Sequence, residues 1–264
     1  MKKILATILF LAIGFTTVLN AQDRLLKKVL ELPVLREGGQ NGGAVAWHPK
    51  QKKYYAAMAG NASFPLVVFD EKGKVLSDED LTTMFDIRGL WYNSKKGELQ
   101  MNGYFENGWA KYILNDKGIP TDIEVIVDDM AQPEENSVGE YSAKEDVVYF
   151  LDSYGSLSRY YPETGSFKDD VLLYLGGGNS KEEEFDIEYD NYNFSYAAIT
   201  NENDAAILNE KLKLIEVFST ETGKLKRKLK LPSNAPVDTW MNFSYCNGIF
   251  WLFDKDERKW IGYK

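Results

Sequence analysis

Beyond about residue 40, short apolar runs alternate with short polar turns, and no long helical period interrupts them. One unit recurs in two halves. The first half is an aromatic residue, a polar turn and an apolar strand. It reads Trp47 with HPKQKK and YYAAM, Tyr92 with NSKKGE and LQM, Tyr141 with SAKED and VVYFL, Tyr189 with DNYNF and SYAAI, and Tyr245 with CNG and IFWLF. The second half is a strand, a turn with Gly and another strand. It reads LVVFDEKGKV around Gly73, KYILNDKGI around Gly118, SRYYPETGSF around Gly165 and EVFSTETGKL around Gly223. Asp70, Asn115, Pro162 and Ser219 are residues that open turns, and the Gly that follows can take the positive φ of a tight strand-to-strand link. The aromatic anchors recur at roughly 45–50 residues, with a longer last interval. That interval predicts an insertion within 201–213, or an extra hairpin at Leu208–Leu212. Ser77 to Phe85 is expected to form one or two helical turns.

Four short strands per unit, repeated around a ring, predict an all-β fold of the β-propeller kind. Five blades is the expected count, with six as the alternative if the fourth unit hides two reduced blades. An open solenoid would need capping ends, and none is visible. The chain ends argue for closure. The fifth unit runs out at Lys264 without an outer strand, whereas the N-terminus has a spare one. Leu26, Leu30, Leu32 and Pro33 fall at the spacing of Leu225, Leu229, Leu231 and Pro232. The first segment is therefore predicted to complete the last blade and remove an unpaired edge.

Composition narrows the function. There are 40 acidic and 31 basic residues, a net charge of −9, which disfavours nucleic acid as a partner. One Cys and one His rule out an intrachain disulfide and a Cys/His zinc site. Lys2 and Lys3, the apolar run from Ile4 to Leu19 and the small Ala21 read as a secretory signal peptide over 1–21, leaving 22–264 as one domain. The expectation is a secreted or periplasmic protein, monomeric, with no membrane insertion after cleavage. No Cys lies near the cut, so a lipoprotein anchor is not expected. Cys246 reads as a small packed side chain, and His48, before Pro49, as an exposed turn residue.

These aromatic–turn–strand and strand–turn–strand units resemble secreted bacterial β-propellers of the broad NHL, SMP-30/gluconolactonase and TolB-like type, over Arg24 to Lys264. The resemblance implies two enzyme readings. Lactonases of the SMP-30 type hold a divalent metal through Glu, Asn and Asp at the channel, and oxygen ligands suit Ca²⁺ or Mg²⁺. Asn136, Asp186 and Asn242 stand near suitable places, but the first blade begins Gly42-Gly43-Ala44-Val45 and offers no Glu. Five-bladed glycosidases use carboxylates from successive inner strands. Glu140 with Asp186 or Glu188 would serve here, again without an acid from the first blade.

With strands named A to D outward from the channel, the A–B and C–D turns share one face. They carry His48, Lys50, Lys52, Lys53, Lys72, Lys95, Lys96 and Lys117. The B–C and D–A loops on the other face carry the acids, from Asp78-Glu79-Asp80 through Glu134-Glu135 and Glu182-Glu183-Glu184 to Glu202, Asp204 and Asp254. They also carry Asn61, Asn107, Trp109, Asp152-Ser153-Tyr154, Asn201 and Trp240. Aromatic rings beside amides and carboxylates suit a sugar or another polar ligand. Strand-A entrances add Arg88, Asn136, Glu140, Asp186, Glu188 and Asn242. The leading expectation is a non-catalytic protein that binds a glycan, small molecule or protein through its acidic loop face. The candidate ligand-binding residues are Arg88, Asn107, Trp109, Asn136, Asp186, Trp240 and Asn242. No catalytic or metal-ligating residue is assigned, and no cofactor beyond a Ca²⁺ ion.

Overall fold

A computed structural model describes residues 24–34, 39, 41–177, 192–196 and 198–264. Five antiparallel sheets follow one another along the chain as five blades of a β-propeller. The inner strands are Gly42–His48, Ile87–Asn93, Glu140–Ser142, Ala198–Ile199 and Phe243–Cys246. Each contacts the inner strand of the next blade, and the fifth contacts the first. Five apolar cores fill the five gaps between blades. One of them packs Leu32, Trp251 and Trp260 of blade five against Val45, Tyr54 and Phe69 of blade one. A core at that seam is possible only in a closed ring.

The N-terminal strand closes it. Lys28–Pro33 pairs antiparallel with Lys259–Tyr263 as the outer strand of blade five. The chain adds a second clasp that the sequence did not foretell. Arg24–Leu25 pairs parallel with Leu225–Lys230, the outer strand of blade four. The N-terminal segment therefore bridges two blades before it enters the second.

The Gly-bearing turns lie where strand C meets strand D. Asp70 Oδ1 accepts the Lys72 and Lys74 amides at 2.8 and 2.9 Å, and Gly73 completes the turn at φ 81°. Asn115 does the same for Lys117 and Ile119 ahead of Gly118. A side-chain acceptor that holds the turn amides is why Asp and Asn stand there.

Three expectations need correction. Ser77 to Phe85 forms turns and an isolated bridge, Pro65 to Thr82, rather than helix, so blade one has three full strands and an irregular outer edge. In blade four, the SYAAI segment supplies the inner strand, not the second. Asn203 at φ 62° turns the chain into Asp204–Asn209, and Glu210 to Lys213 makes the next hairpin. The extra length of this unit thus precedes the inner strand instead of lying within 201–213, and Tyr189 falls outside the described residues. The count is five blades, not six. Third, Asn201, Glu202 and Asp204 lie at the A–B turn of blade four, on the face opposite the one expected.

Candidate functional site

The loop face holds a cavity of about 620 Å³ where blades three, four and five meet. Its rim comes from two D–A loops, which carry Glu134 to Ser137 and Thr239-Trp240. Ser153 enters from a B–C loop, and Tyr192, Phe194 and Ser195 precede the blade-four inner strand. The Trp240 ring is 44% exposed, a surface that a soluble protein usually covers. Phe194 is half-buried and tilts toward Tyr192. Apolar faces therefore stand beside the carboxylates of Glu134 and Glu135, the amide of Asn136 and five hydroxyl-bearing side chains.

Several of its polar groups are held in place. Ser153 donates from both Oγ and N to Glu134 Oε1, at 2.6 and 3.0 Å. Tyr104 donates to Glu135 Oε2 at 2.9 Å. Tyr192 donates to Glu216 Oε2 at 2.8 Å, and burial with the neighbouring Glu216 charge pushes its phenol up to about 12. Arg88 lies behind the rim. Its Nε donates to Asn136 Oδ1 at 2.9 Å, its Nη1 to Asp86 at 2.7 Å, and its guanidinium stacks over the Tyr104 ring at 4.5 Å. These fixed groups preorganise the cavity, which lowers the ordering cost of binding.

The seven expected site residues divide. Asn136 and Trp240 line the cavity. Arg88 is buried and acts on it through Asn136. Asn107 is exposed on the neighbouring B–C loop, where its amide donates to the Tyr104 carbonyl at 2.6 Å and helps hold Tyr104. Trp109 is a correction: at 1% exposure it packs in the core between blades two and three against Trp91 and Phe150, with no surface for a ligand. Asn242 is also buried, and its amide joins the Asp238 backbone at 2.8 and 3.0 Å. Asp186 and Glu188 fall outside the described residues. Sequence reasoning missed Phe194, because the misread register of blade four put it in a turn on the other face.

Two single residues also differ or hold. His48 is buried, not exposed. It ends the first inner strand, lies 4.5 Å from the Tyr92 ring, and burial holds its pKa below 6.5. Cys246 is half-buried, as a packed thiol should be.

A divalent-metal site does not fit the donors described. Asn136 Oδ1 is taken by Arg88, Asn242 by the Asp238 backbone, and blade one brings no acid. Among the described residues no three His, Cys, Asp or Glu side chains are grouped to hold a metal ion.

Fold and cavity together define a five-bladed β-propeller with a shaped site on its loop face. Among solved structures, the chain is similar to a glutaminyl cyclase of Myxococcus xanthus, at 11% identity over 92% of this chain and 97% of that one, with a TM-score of 0.59. It is also similar to a gluconolactonase of Xanthomonas campestris (14% identity, 88% and 78% covered, TM-score 0.48) and an auxiliary nutrient binding protein of Bacteroides thetaiotaomicron (11%, 87% and 60%, 0.43). At 11% identity the likeness to the glutaminyl cyclase is one of fold. No protein-family model and no curated protein sequence matches the chain.

Proposed function

We propose that this protein is a non-catalytic binding propeller that takes a carbohydrate in its loop-face cavity. The observation that carries this reading is the exposed Trp240 ring beside Asn136, Glu134 and Ser153. A sugar has an apolar face that stacks on an aromatic ring and hydroxyls that need amide and carboxylate partners. The acidic loops disfavour anionic polymers and favour neutral ones. The signal-like N-terminus supports action outside the cytoplasm, in the periplasm or beyond it, by a monomer that is not inserted in a membrane.

The test is calorimetric titration with a panel of neutral oligosaccharides, using Trp240→Ala as the comparison. Loss of the ring is expected to weaken binding at least ~10-fold, in line with an aromatic contact of 1.5 kcal/mol or so. The melting temperature should move little, because Trp240 lies at the surface and is 44% exposed. Failure of every sugar, or equal binding by the variant, contradicts the proposal. A rise in melting temperature with Ca²⁺ that EDTA reverses would turn the reading toward a metal-assisted hydrolase of the lactonase type.

A further inference from the structure

The channel has a second cavity, at the turn face, of about 430 Å³. It is lined from the inner strands and A–B turns of all five blades, so every blade contributes to one enclosure. Its chemistry differs from that of the loop-face cavity. Aromatic residues from four blades line it: the Trp47 and Tyr92 rings are half-buried, whereas Trp91, Tyr141 and Tyr245 are buried in the cores between blades. Two charged side chains line it, Glu140 and Lys144.

Glu140 begins the inner strand of blade three and so lies deep in the channel. Tyr196 donates its hydroxyl to Glu140 Oε2, and the Tyr245 amide donates to the same hydroxyl at 3.3 Å. Among the described residues no other hydrogen-bond or ion-pair partner holds the carboxyl, and Glu140 is one of the residues lining the cavity. The groups facing it are neutral: the Tyr196 and Tyr245 phenols and the Cys246 thiol, each pushed up by burial. Lys144 stands on the turn that follows the same strand, exposed and without an ion pair among the described residues. Their Cα atoms are four residue steps apart, at most about 13 Å.

We propose that this turn-face cavity is a second ligand site, for a small elongated zwitterion whose amine meets Glu140 and whose carboxylate meets Lys144. A carboxylate among aromatic rings favours an ammonium group, through an ion pair and cation–π attraction. The lysine at the mouth opposes a bare cation and favours an anionic tail. Burial keeps the free Glu140 protonated well above its ordinary range. An entering ammonium must therefore displace a proton, and affinity should rise with pH until Glu140 is ionised without help.

The test uses 6-aminohexanoate, with hexylamine and hexanoate as probes of each end, in calorimetric titrations of the full chain. The zwitterion should bind tightest, hexylamine more weakly and hexanoate not at all. The heat should vary with the buffer's ionisation enthalpy, since a proton is released. Glu140→Gln copies the neutral carboxyl and should fold with an undiminished melting temperature, yet lose at least roughly ten-fold in affinity. Trp240→Ala should bind the zwitterion like the parent, which separates this site from the loop-face cavity. The proposal is overturned if 6-aminohexanoate fails to bind at about 10 mM, if hexanoate matches it, or if folded Glu140→Gln binds it unchanged.

Discussion

Arg88 Nε and Asn136 Oδ1 meet at 2.9 Å across the gap between blades two and three, and this bond aims an amide into the loop-face cavity. The same guanidinium holds Asp86 and stacks over Tyr104, which in turn holds Glu135. One buried cation thereby positions two groups of the rim. Arg88→Ala is expected to cost about 2 kcal/mol of stability, because Asp86 and Asn136 lose a charged donor. Arg88→Lys should recover part of that stability, and ligand binding much less, since a single ammonium does not reproduce the planar fork. Equilibrium urea unfolding and sugar titration of the two variants check this. Equal binding by the lysine variant would show that Arg88 does not position the rim.

The inner ring tolerates little bulk. A Cβ built on Gly89 falls 2.3 Å from Asn102 Oδ1 and 2.5 Å from the Gly139 nitrogen. Those atoms belong to a working joint, because Asn102 accepts from the Gly139 amide at 3.0 Å and donates to the Ser137 carbonyl at 2.8 Å. Gly89→Ala should therefore destabilise the protein by about 3 kcal/mol, at the upper end of overpacking costs. An unchanged denaturation midpoint would mean the inner strands are not so close.

Glu140 should give the protein a pH signature even without ligand. Burial raises its carboxyl well above 4.5 in the folded state, so the native protein holds that proton more tightly than the unfolded chain. The stability this provides is complete below 4.5 and is lost as pH rises through the raised value. Glu140→Gln cannot titrate. The variant's advantage over the parent should thus grow from acid toward neutral pH and then level off. Thermal melts of both proteins across that range measure it. A difference that stays flat would show that folding does not raise the Glu140 carboxyl.

The parts legible in the sequence were those with a local physical cause. Turn residues such as Asp70 and Asn115 bind their own turn amides, so their meaning does not depend on the rest of the fold. The closing strand was legible because Leu30, Leu32 and Pro33 repeat the spacing of an outer strand elsewhere. What was hidden depended on which side of a strand faces outward. Trp109 looked like a loop aromatic, yet as the first residue of Trp109–Leu114 it faces the next blade. His48 looked like a turn residue and proved to be the last of a buried strand. The inner strand of blade four has two residues, too few to carry a period, and the preceding Tyr-rich segment imitated its neighbours' anchors. That shift hid Phe194 from the site.

All positions on either face follow from the ring being sealed by Lys28–Pro33 against Lys259–Tyr263. Leu32 is opposite Trp260 in that pairing, and both side chains are 0% exposed. Amide hydrogen exchange of the native protein tests the seal directly. The Leu30 and Leu32 amides should exchange as slowly as those of Trp260 and Ile261, and Leu32→Ala should speed both strands together by weakening one shared core. Rapid exchange of 28–33 beside continued protection of 259–263 would contradict it.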